Sequence, residues 1–442
     1  MHALERTCFL TLGCSKNEVD SDKMRALAEA DPARLVVDDP ACADLIVINT
    51  CAFITAAIEE ALSLIFDVLE LPRVKSGQTK VVVAGCLASR YGDELAKSLP
   101  EVKFFLPCDE ELVFFAPPAP TAEAVSQASG SVEVGSEPGS ARPALRTTGQ
   151  AWAYLKIADG CSRSCSFCSI PAIKGPFRSA SQDAILAEAD QLVTSGAAEL
   201  DLIAQDSGLW HSAGHDLADL LELLAERFPD TWLRVLYLYP ETVSDKLLAV
   251  FDAHANICDY FDLPFQHGDP AVLQAMKRPG GASEYLRLIA KIRDRLPDAA
   301  IRTTLISGFP GESAAQHRNL LHFIEQASFD SGGVFAYSRE LGTAAFDLHP
   351  QHGESLKLAR QQEANDLLQS IAADKLQALV GRRVEVLLEG RDEDGLTARS
   401  RQMAPEVDAL IHLPEGADAK LGGVLQVRIE EAAGFDLFAS LL

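Results

Sequence analysis

At about 150 residues per domain, 442 residues make roughly three domains rather than one core. Hydrophobic residues at 48% and charged residues at 23% are an ordinary globular mixture, which excludes a wholly disordered, collagenous or membrane-embedded chain. Lys plus Arg number 39 against 64 Asp plus Glu, and the net charge of −25 argues against non-specific binding to nucleic acid or acidic lipid and suits a basic partner. From the N-terminus, Met1–Leu12 has too short an apolar core for a signal peptide, and no run reaches the roughly 18 apolar residues of a membrane helix, so the cytoplasm is the expected compartment. Short apolar runs at Thr7–Leu12, Leu45–Asn49, Lys80–Ala84 and Val102–Leu106 alternate with amphipathic stretches, which predicts a parallel α/β domain over residues 1–115. Between residues 116 and 145, Ala, Pro, Ser and Gly fill 20 of 30 positions, which reads as a flexible linker. The alternation resumes over residues 146–376, with strands expected at Ala153–Ile157, Glu199–Ala204, Leu233–Tyr237, Phe261–Pro264, Ile301–Ile306 and Gly333–Tyr337, the pattern of a complete or partial β/α barrel. From about residue 377 to 442 the helices stop. Five short strands, at Arg383–Leu388, Leu396–Gln402, Ala409–His412, Val424–Ile429 and Phe435–Ala439, predict a small antiparallel β-barrel.

Ten cysteines are too sparse for a disulfide scaffold in a reducing compartment, so their placement points to metal or redox chemistry. Cys161, Cys165 and Cys168 lie in Gly160-Cys-Ser-Arg-Ser-Cys-Ser-Phe-Cys, directly after an expected barrel strand and so at the C-terminal mouth, where catalytic groups collect. Three thiolates on a four-iron four-sulfur cluster leave one iron free for a non-protein ligand. A structural zinc site is the alternative, but it wants four ligands, and no fourth Cys or His stands nearby in sequence. A second trio has the same logic: Cys14, Cys51 and Cys86 each follow the C-terminal end of an expected parallel strand, and all such ends share one edge of the sheet. Cys8 reads as a buried core thiol, and Cys42 and Cys258 as packing residues. Cys108 also follows a strand, but Pro107 and the acidic run Asp109–Glu111 suggest a loop, and it is left outside the trio.

The Cys-x3-Cys-x2-Cys run with Phe167 before its last cysteine resembles the signature of radical S-adenosylmethionine enzymes. In that family the free iron chelates S-adenosylmethionine, and an electron from the cluster cleaves it to a 5′-deoxyadenosyl radical. Together with Leu12-Gly-Cys-Ser-Lys-Asn-Glu-Val-Asp-Ser21, Asn49-Thr-Cys-Ala-Phe-Ile54, Gly85-Cys-Leu-Ala-Ser-Arg-Tyr91 and Tyr154-Leu-Lys-Ile-Ala158, both trios resemble the methylthiotransferases over nearly the whole chain. The resemblance implies an N-terminal domain with an auxiliary four-iron four-sulfur cluster, a central radical domain with its own, and a C-terminal domain of the TRAM type. Asn17-Glu-Val-Asp-Ser21 and Thr50-Cys-Ala-Phe-Ile54 are most similar to the branch that attaches a methylthio group to the β-carbon of an aspartate in small-subunit ribosomal protein S-twelve. The other branch acts on tRNA adenosine. The family also implies an electron donor such as flavodoxin or ferredoxin.

Further strings fall at strand ends. Ser307-Gly-Phe-Pro-Gly-Glu312 follows the strand ending at Ile306. Gly308 and Gly311 there let backbone approach a ligand, and with Glu312 they resemble a family loop near S-adenosylmethionine, although Pro-Gly pairs are common in plain turns. Ala204-Gln-Asp-Ser207 ends another strand and offers Gln205 for cofactor or substrate, or simply as loop polarity. Gln266-His267 and Arg302-Thr-Thr304 are placed likewise and carry no catalytic assignment. His211 and His215 have the spacing of helical metal ligands, but Ser212, Ala213 and Gly214 between them favour a solvated loop. Ala180 and Leu209-Trp210 depart from the family pattern at positions of fine substrate contact.

Charge separates the two branches. Residues 377–442 hold 7 Lys plus Arg against 12 Asp plus Glu, a net of −5, with Asp392-Glu-Asp394 and Glu430-Glu431 as local clusters. An RNA-binding barrel wants a basic face, so nucleic acid is not the expected partner, and a basic ribosomal protein suits this one better. The N-terminal domain is acidic as well, which ties part of the signal to general solubility. A non-catalytic iron-sulfur carrier remains as a third reading, separated from the others by the absence of 5′-deoxyadenosine production.

Overall fold

The computed structural model describes residues 4–116, 150–391, 395–414 and 420–442. The expected linker, from residue 117 onward, and the acidic run Asp392–Asp394 lie outside the described residues. The chain divides into two compact units. One takes the described residues of Met1–Arg146 with Asp159–Ser162 and Ser169–Gln191; the other takes those of Thr147–Ala158, Arg163–Cys168 and Leu192–Leu442. Among the described residues no helix is long and apolar enough to cross a membrane.

In the first unit five parallel strands stand in the order Arg34–Val36, Glu5–Thr11, Leu45–Thr50, Lys80–Gly85, Val102–Leu106. Leu45–Thr50 is buried along its whole length, as a central parallel strand covered on both faces must be. The period of two splits its side chains. Ile46 and Ile48, with Val81 and Val83, pack against Ala61, Ile65 and Val68 of helix Thr55–Leu69, while Leu45 and Val47, with Val82, pack against Met24 and Ala28 of helix Ser15–Ala30. The order of strands reverses beside Glu5–Thr11, so the crevice outside the carboxyl ends of that strand and of Leu45–Thr50 is the switch point where open α/β sheets bind ligands. Two buried ion pairs close this unit, Lys23 to Glu188 at 2.8 Å and Lys174 to Asp20 at 3.1 Å.

In the second unit six strands follow one another in chain order. Trp152–Lys156, Glu199–Ile203 and Trp232–Val235 form one parallel sheet, and Tyr260–Asp262, Ala300–Ser307 and Ser331–Ala336 another. The parallel bridge Leu233 to Ile257 and the bond from Leu238 N–H to Asp262 O at 2.9 Å join the two into a partial barrel. Among the described residues its last strand meets no seventh. Instead, helix Glu354–Gln377 presents Gln361, Asn365 and Gln369 to it. Gln361 Nε2 donates to Val334 O at 3.1 Å, Asn365 Oδ1 accepts from Val334 N–H at 3.3 Å, and Gln369 Nε2 donates to Gly332 O at 3.3 Å. Amides one helical turn apart thereby satisfy an edge that would otherwise invite another strand.

The C-terminal strands Arg383–Arg391, Leu396–Ser400, Ile411–Leu413, Asp436–Leu441 and Val424–Ala433 close into a barrel in that order, around Val386, Leu388, Ala398, Ile411, Val427 and Leu437. Four of its pairings are antiparallel. The closing pair, Ile411–Leu413 with Asp436–Leu441, is parallel.

Candidate metal and cofactor sites

In the first unit the strand ends converge. Thr11 pairs with Asn49, and Thr50 with Gly85, so Cys14, Cys51 and Cys86 leave three adjacent strands at one edge. Glycine makes two of these exits possible. Gly13 has φ +114°, with its Cβ position 2.9 Å from Cys51 Cβ, and Gly85 has φ +93°, with its Cβ position 2.4 Å from Asn49 Oδ1, so a side chain at either would strain the turn and collide. Helices start immediately: Cys14 caps helix Ser15–Ala30 and Cys86 opens helix Cys86–Ser98. Cys14 is exposed, Cys51 half-buried and Cys86 buried.

The polar residues of Asn17–Ser21 fix this edge. Asn17 Nδ2 donates to Thr50 O at 2.9 Å and Asn49 Oδ1 at 3.3 Å, while Asn49 Nδ2 donates to Asn17 O and Ser21 Oγ, both at 2.9 Å. Asp20 holds Lys174, whose ammonium stays charged: burial opposes this, and Asp20 and Asp159 outweigh burial. Lys174 in turn acts on Cys86 and on Cys108. Cys108, left out by the sequence reading, lies beside Cys86. Their shared hydrogen bond holds Cys86 well above the ordinary thiol value and lowers Cys108 to about 6, and Ser89 Oγ accepts from the Cys108 N–H at 2.9 Å. Burial pushes the Cys51 thiol up. The other thiols lie elsewhere: Cys8 is raised to about 11 and Cys258 to about 12 by burial, and Cys42 donates to Asp39 O.

Of the Cys161, Cys165 and Cys168 run, Cys161 belongs to the first unit, where its N–H donates to Gly175 O at 3.1 Å. The preceding Gly160 has φ +72° and a Cβ position 2.3 Å from Pro176 O, which leaves no room for another residue. Cys165 and Cys168 belong to the second unit, where Cys168 N–H donates to Cys165 O at 3.2 Å and Ser166 is bonded to Met276 and Ala275. Cys165 Sγ lies 3.1 Å from Tyr239 Oη. Arg163 Nε donates to the buried Asp206 at 2.8 Å, and its Nη1 to Glu241 at 2.7 Å. Gln205 follows the strand Glu199–Ile203, next to Asp206.

Gly308 and Gly311, at φ +71° and +80°, follow the strand Ala300–Ser307. Glu312 closes their loop from within. Its Oε2 accepts from Gly308 N–H at 2.8 Å and Phe309 N–H at 3.2 Å, and its Oε1 from Arg360 at 3.0 Å. Burial would raise this carboxyl, but His267, His317 and Arg360 hold it at about 2. At the neighbouring strand end Gln266 is held at φ +68° with a buried Oε1 that has no hydrogen-bond partner. An orphaned acceptor beside a glycine loop suits a polar cofactor. His211 and His215 fall on the short hairpin strands His211–Ser212 and His215–Asp216, so the helical metal geometry does not form. Among the described residues no three His, Cys, Asp or Glu side chains are gathered into a ready metal-holding group. The fit of both trios to clusters rests on donor chemistry and placement: soft thiolates in threes, at strand and helix ends.

A partial β/α barrel whose first strand runs into Cys-x3-Cys-x2-Cys defines a class, and residues 155–324 match the radical SAM superfamily. Residues 6–107 match the uncharacterized protein family UPF0004 and residues 380–442 the TRAM domain. Three relatives carry the name ribosomal protein uS12 methylthiotransferase RimO. The chain is 40% identical to that of Anaeromyxobacter sp. (strain K), covering 98% of this chain and 92% of the relative. It is 37% identical to that of Syntrophotalea carbinolica (99% and 97%) and 35% to that of Geobacter sulfurreducens (100% and 99%). The chain belongs to the RimO family. Among solved structures it is similar to the radical S-adenosylmethionine methyltransferase TsrM from Kitasatospora setae, with a TM-score of 0.54 and 14% identity over 76% of this chain and 74% of that one, and to the cobalamin-dependent S-adenosylmethionine radical enzyme OxsB, at 0.52 and 12% over 83% and 55%. These two likenesses concern the fold alone.

Proposed function

We propose that this chain is a methylthiotransferase that acts on ribosomal protein uS12, attaching the group to the β-carbon of one aspartate. The observation that carries the reading is the convergence of Cys14, Cys51 and Cys86 at the carboxyl edge of three adjacent strands, in a chain that also holds the Cys161–Cys168 run. The Cys161–Cys168 run provides for one cluster, and a second thiol trio supplies a place for another. Cys161, Cys165 and Cys168 hold the cluster that meets S-adenosylmethionine, and Cys14, Cys51 and Cys86 hold the auxiliary one. When bound, the cluster and S-adenosylmethionine supply the one-electron chemistry that makes an unactivated C–H bond reactive.

The chain's own residues bind, orient and shield. Gly308 and Gly311 leave the backbone of their loop without side chains, with Gln205 and Gln266 as polar contacts. Glu312 acts through the loop it ties together rather than by touching the cofactor, since its oxygens are occupied by Gly308, Phe309 and Arg360. A small one-electron carrier such as flavodoxin or ferredoxin supplies the electron, and the work is done in the cytoplasm. The three functional parts are residues 1–115, 146–376 and 377–442, the last recognising a basic protein through its net charge of −5. Incubating anaerobically reconstituted protein with S-adenosylmethionine, reductant and either uS12 or tRNA tests the reading. A methylthio group on the protein supports it, and one on tRNA adenosine overturns it.

A further inference from the structure

Around Cys165 the two neighbouring arginines differ in one respect. The ring of Tyr239 is sandwiched between them, with Arg163 4.1 Å and Arg278 3.8 Å from its centroid. Arg163 is neutralised by Asp206 and Glu241. Arg278, only 5% exposed, donates to Pro264 O, yet its buried Nε has no hydrogen-bond partner, and among the described residues no carboxylate oxygen lies within the 4.0 Å of an ion pair. The groups whose charge it feels are the Tyr239 and Tyr285 phenols and Cys165. Tyr239 Oη lies 3.1 Å from the same sulfur.

A guanidinium is costly to bury without an anion beside it. The two phenols do not repay that cost, whereas the negative charge of a thiolate-held iron-sulfur cluster does. Hydrogen bonds and positive charge at a cluster thiolate favour the reduced cluster, because they stabilise the added electron. The stacked arrangement also fixes the direction of the Tyr239 hydroxyl, since each face of the ring rests on a planar cation.

We propose that Tyr239 and Arg278 set the reduction potential of the cluster held by Cys161, Cys165 and Cys168, Tyr239 by its hydrogen bond to the Cys165 sulfur and Arg278 by its buried charge stacked on Tyr239. The proposal rests on reading that trio as the ligand set. Tyr239 and Arg278 are positioning residues that act through Cys165. They raise the potential and so let a modest donor load the cluster with the electron that S-adenosylmethionine cleavage consumes.

The test is an anaerobic redox titration, followed by electron paramagnetic resonance, of full-length reconstituted protein in which Cys14, Cys51 and Cys86 are Ala, so that one cluster contributes. Tyr239→Phe removes one donor and keeps the stacked ring, and it should lower the equilibrium constant for reduction about threefold. Arg278→Gln should lower it about tenfold, equivalent to about 59 mV for one electron, and Arg278→Lys should restore part of the loss. Iron content should equal that of the parent in each variant. Should Arg278→Gln fail to fold, Tyr239→Phe still decides the matter by its shift. A full complement of iron with the parental potential in Tyr239→Phe and in whichever Arg278 variants fold overturns the proposal. A parent without any cluster signal overturns the ligand assignment instead.

Discussion

Arg399 Nη2 donates to Glu199 Oε2 at 2.7 Å, with both side chains fully buried, and so ties a strand of the C-terminal barrel to the first residue of the strand Glu199–Ile203. Arg234 Nε donates to the other oxygen of Glu199 at 2.8 Å, and Arg234 Nη1 donates to Arg401 O. Asp201 lies 3.3 Å from Arg234 and is pushed toward its neutral form by burial and by Glu199. One carboxylate thus answers two guanidinium groups. Arg399 also pairs with Glu389, so Arg399→Met leaves Glu389 without its guanidinium and Glu199 with Arg234 alone, and should cost about 3–5 kcal/mol in urea denaturation. A loss below about 1 kcal/mol, the scale of an exposed pair, contradicts the buried network.

Glu312 gives a pH dependence with a defined sign. Its carboxyl is held at about 2, below the ordinary value of 4.5, because His267, His317 and Arg360 outweigh burial. A depressed acid contributes stability that is present above the unfolded value and is lost as pH falls toward the folded one, here between about 4.5 and 2. At 1.36 kcal/mol per unit the contribution is about 3 kcal/mol at neutral pH. Glu312→Gln should therefore be less stable at pH 7 and show a flatter acid limb, read from melting temperatures across pH. An unchanged acid limb contradicts the loop-closing role.

Replacing Cys165 with Ala should remove one cluster and all S-adenosylmethionine cleavage. Normal 5′-deoxyadenosine yield from that protein defeats the assignment of the Cys161–Cys168 run.

Loss of Cys14, Cys51 and Cys86 together should spare cleavage of S-adenosylmethionine without substrate while abolishing sulfur insertion. Iron content should fall by roughly half, since one of two equal thiolate-held clusters is gone. Undiminished iron in the triple variant contradicts the second site.

Cys108 separates ligand from neighbour. It hydrogen-bonds to Cys86 but leaves a fourth strand, one farther from Cys14. Cys108→Ser should keep the wild-type iron content, and a loss of about half would make it a ligand of the auxiliary cluster.

What the sequence made legible follows from local physics. Leu45–Ile48 and Val81–Ala84, within the expected strands, are apolar without interruption because both faces of a central parallel strand are covered. The edge strand Arg34–Val36 went unseen: three half-exposed residues carry no period. The shared edge of Cys14, Cys51 and Cys86 was readable because parallel strands put every carboxyl end on one side. Cys108 was not placed, because a turn after the last strand hides its approach to Cys86. The Arg278 and Tyr239 pair on Cys165 left no trace in local spacing, since three loops far apart in the chain bring those groups together. His211 and His215 have the spacing of helical ligands, but Ser212, Ala213 and Gly214 already argued for a loop, and the residues fall on a hairpin because Ala213 and Gly214 adopt positive φ and turn the chain.

The most direct test is mass spectrometry of ribosomal protein uS12 after reaction with the reconstituted protein, S-adenosylmethionine and a reductant, with tRNA digested and analysed in parallel. The account predicts one methylthio group on a single aspartate of the ribosomal protein, absent when Cys14, Cys51 and Cys86 are Ala, and no change in the tRNA. An unmodified ribosomal protein from enzyme that cleaves S-adenosylmethionine, or methylthiolated adenosine in the tRNA, would contradict it.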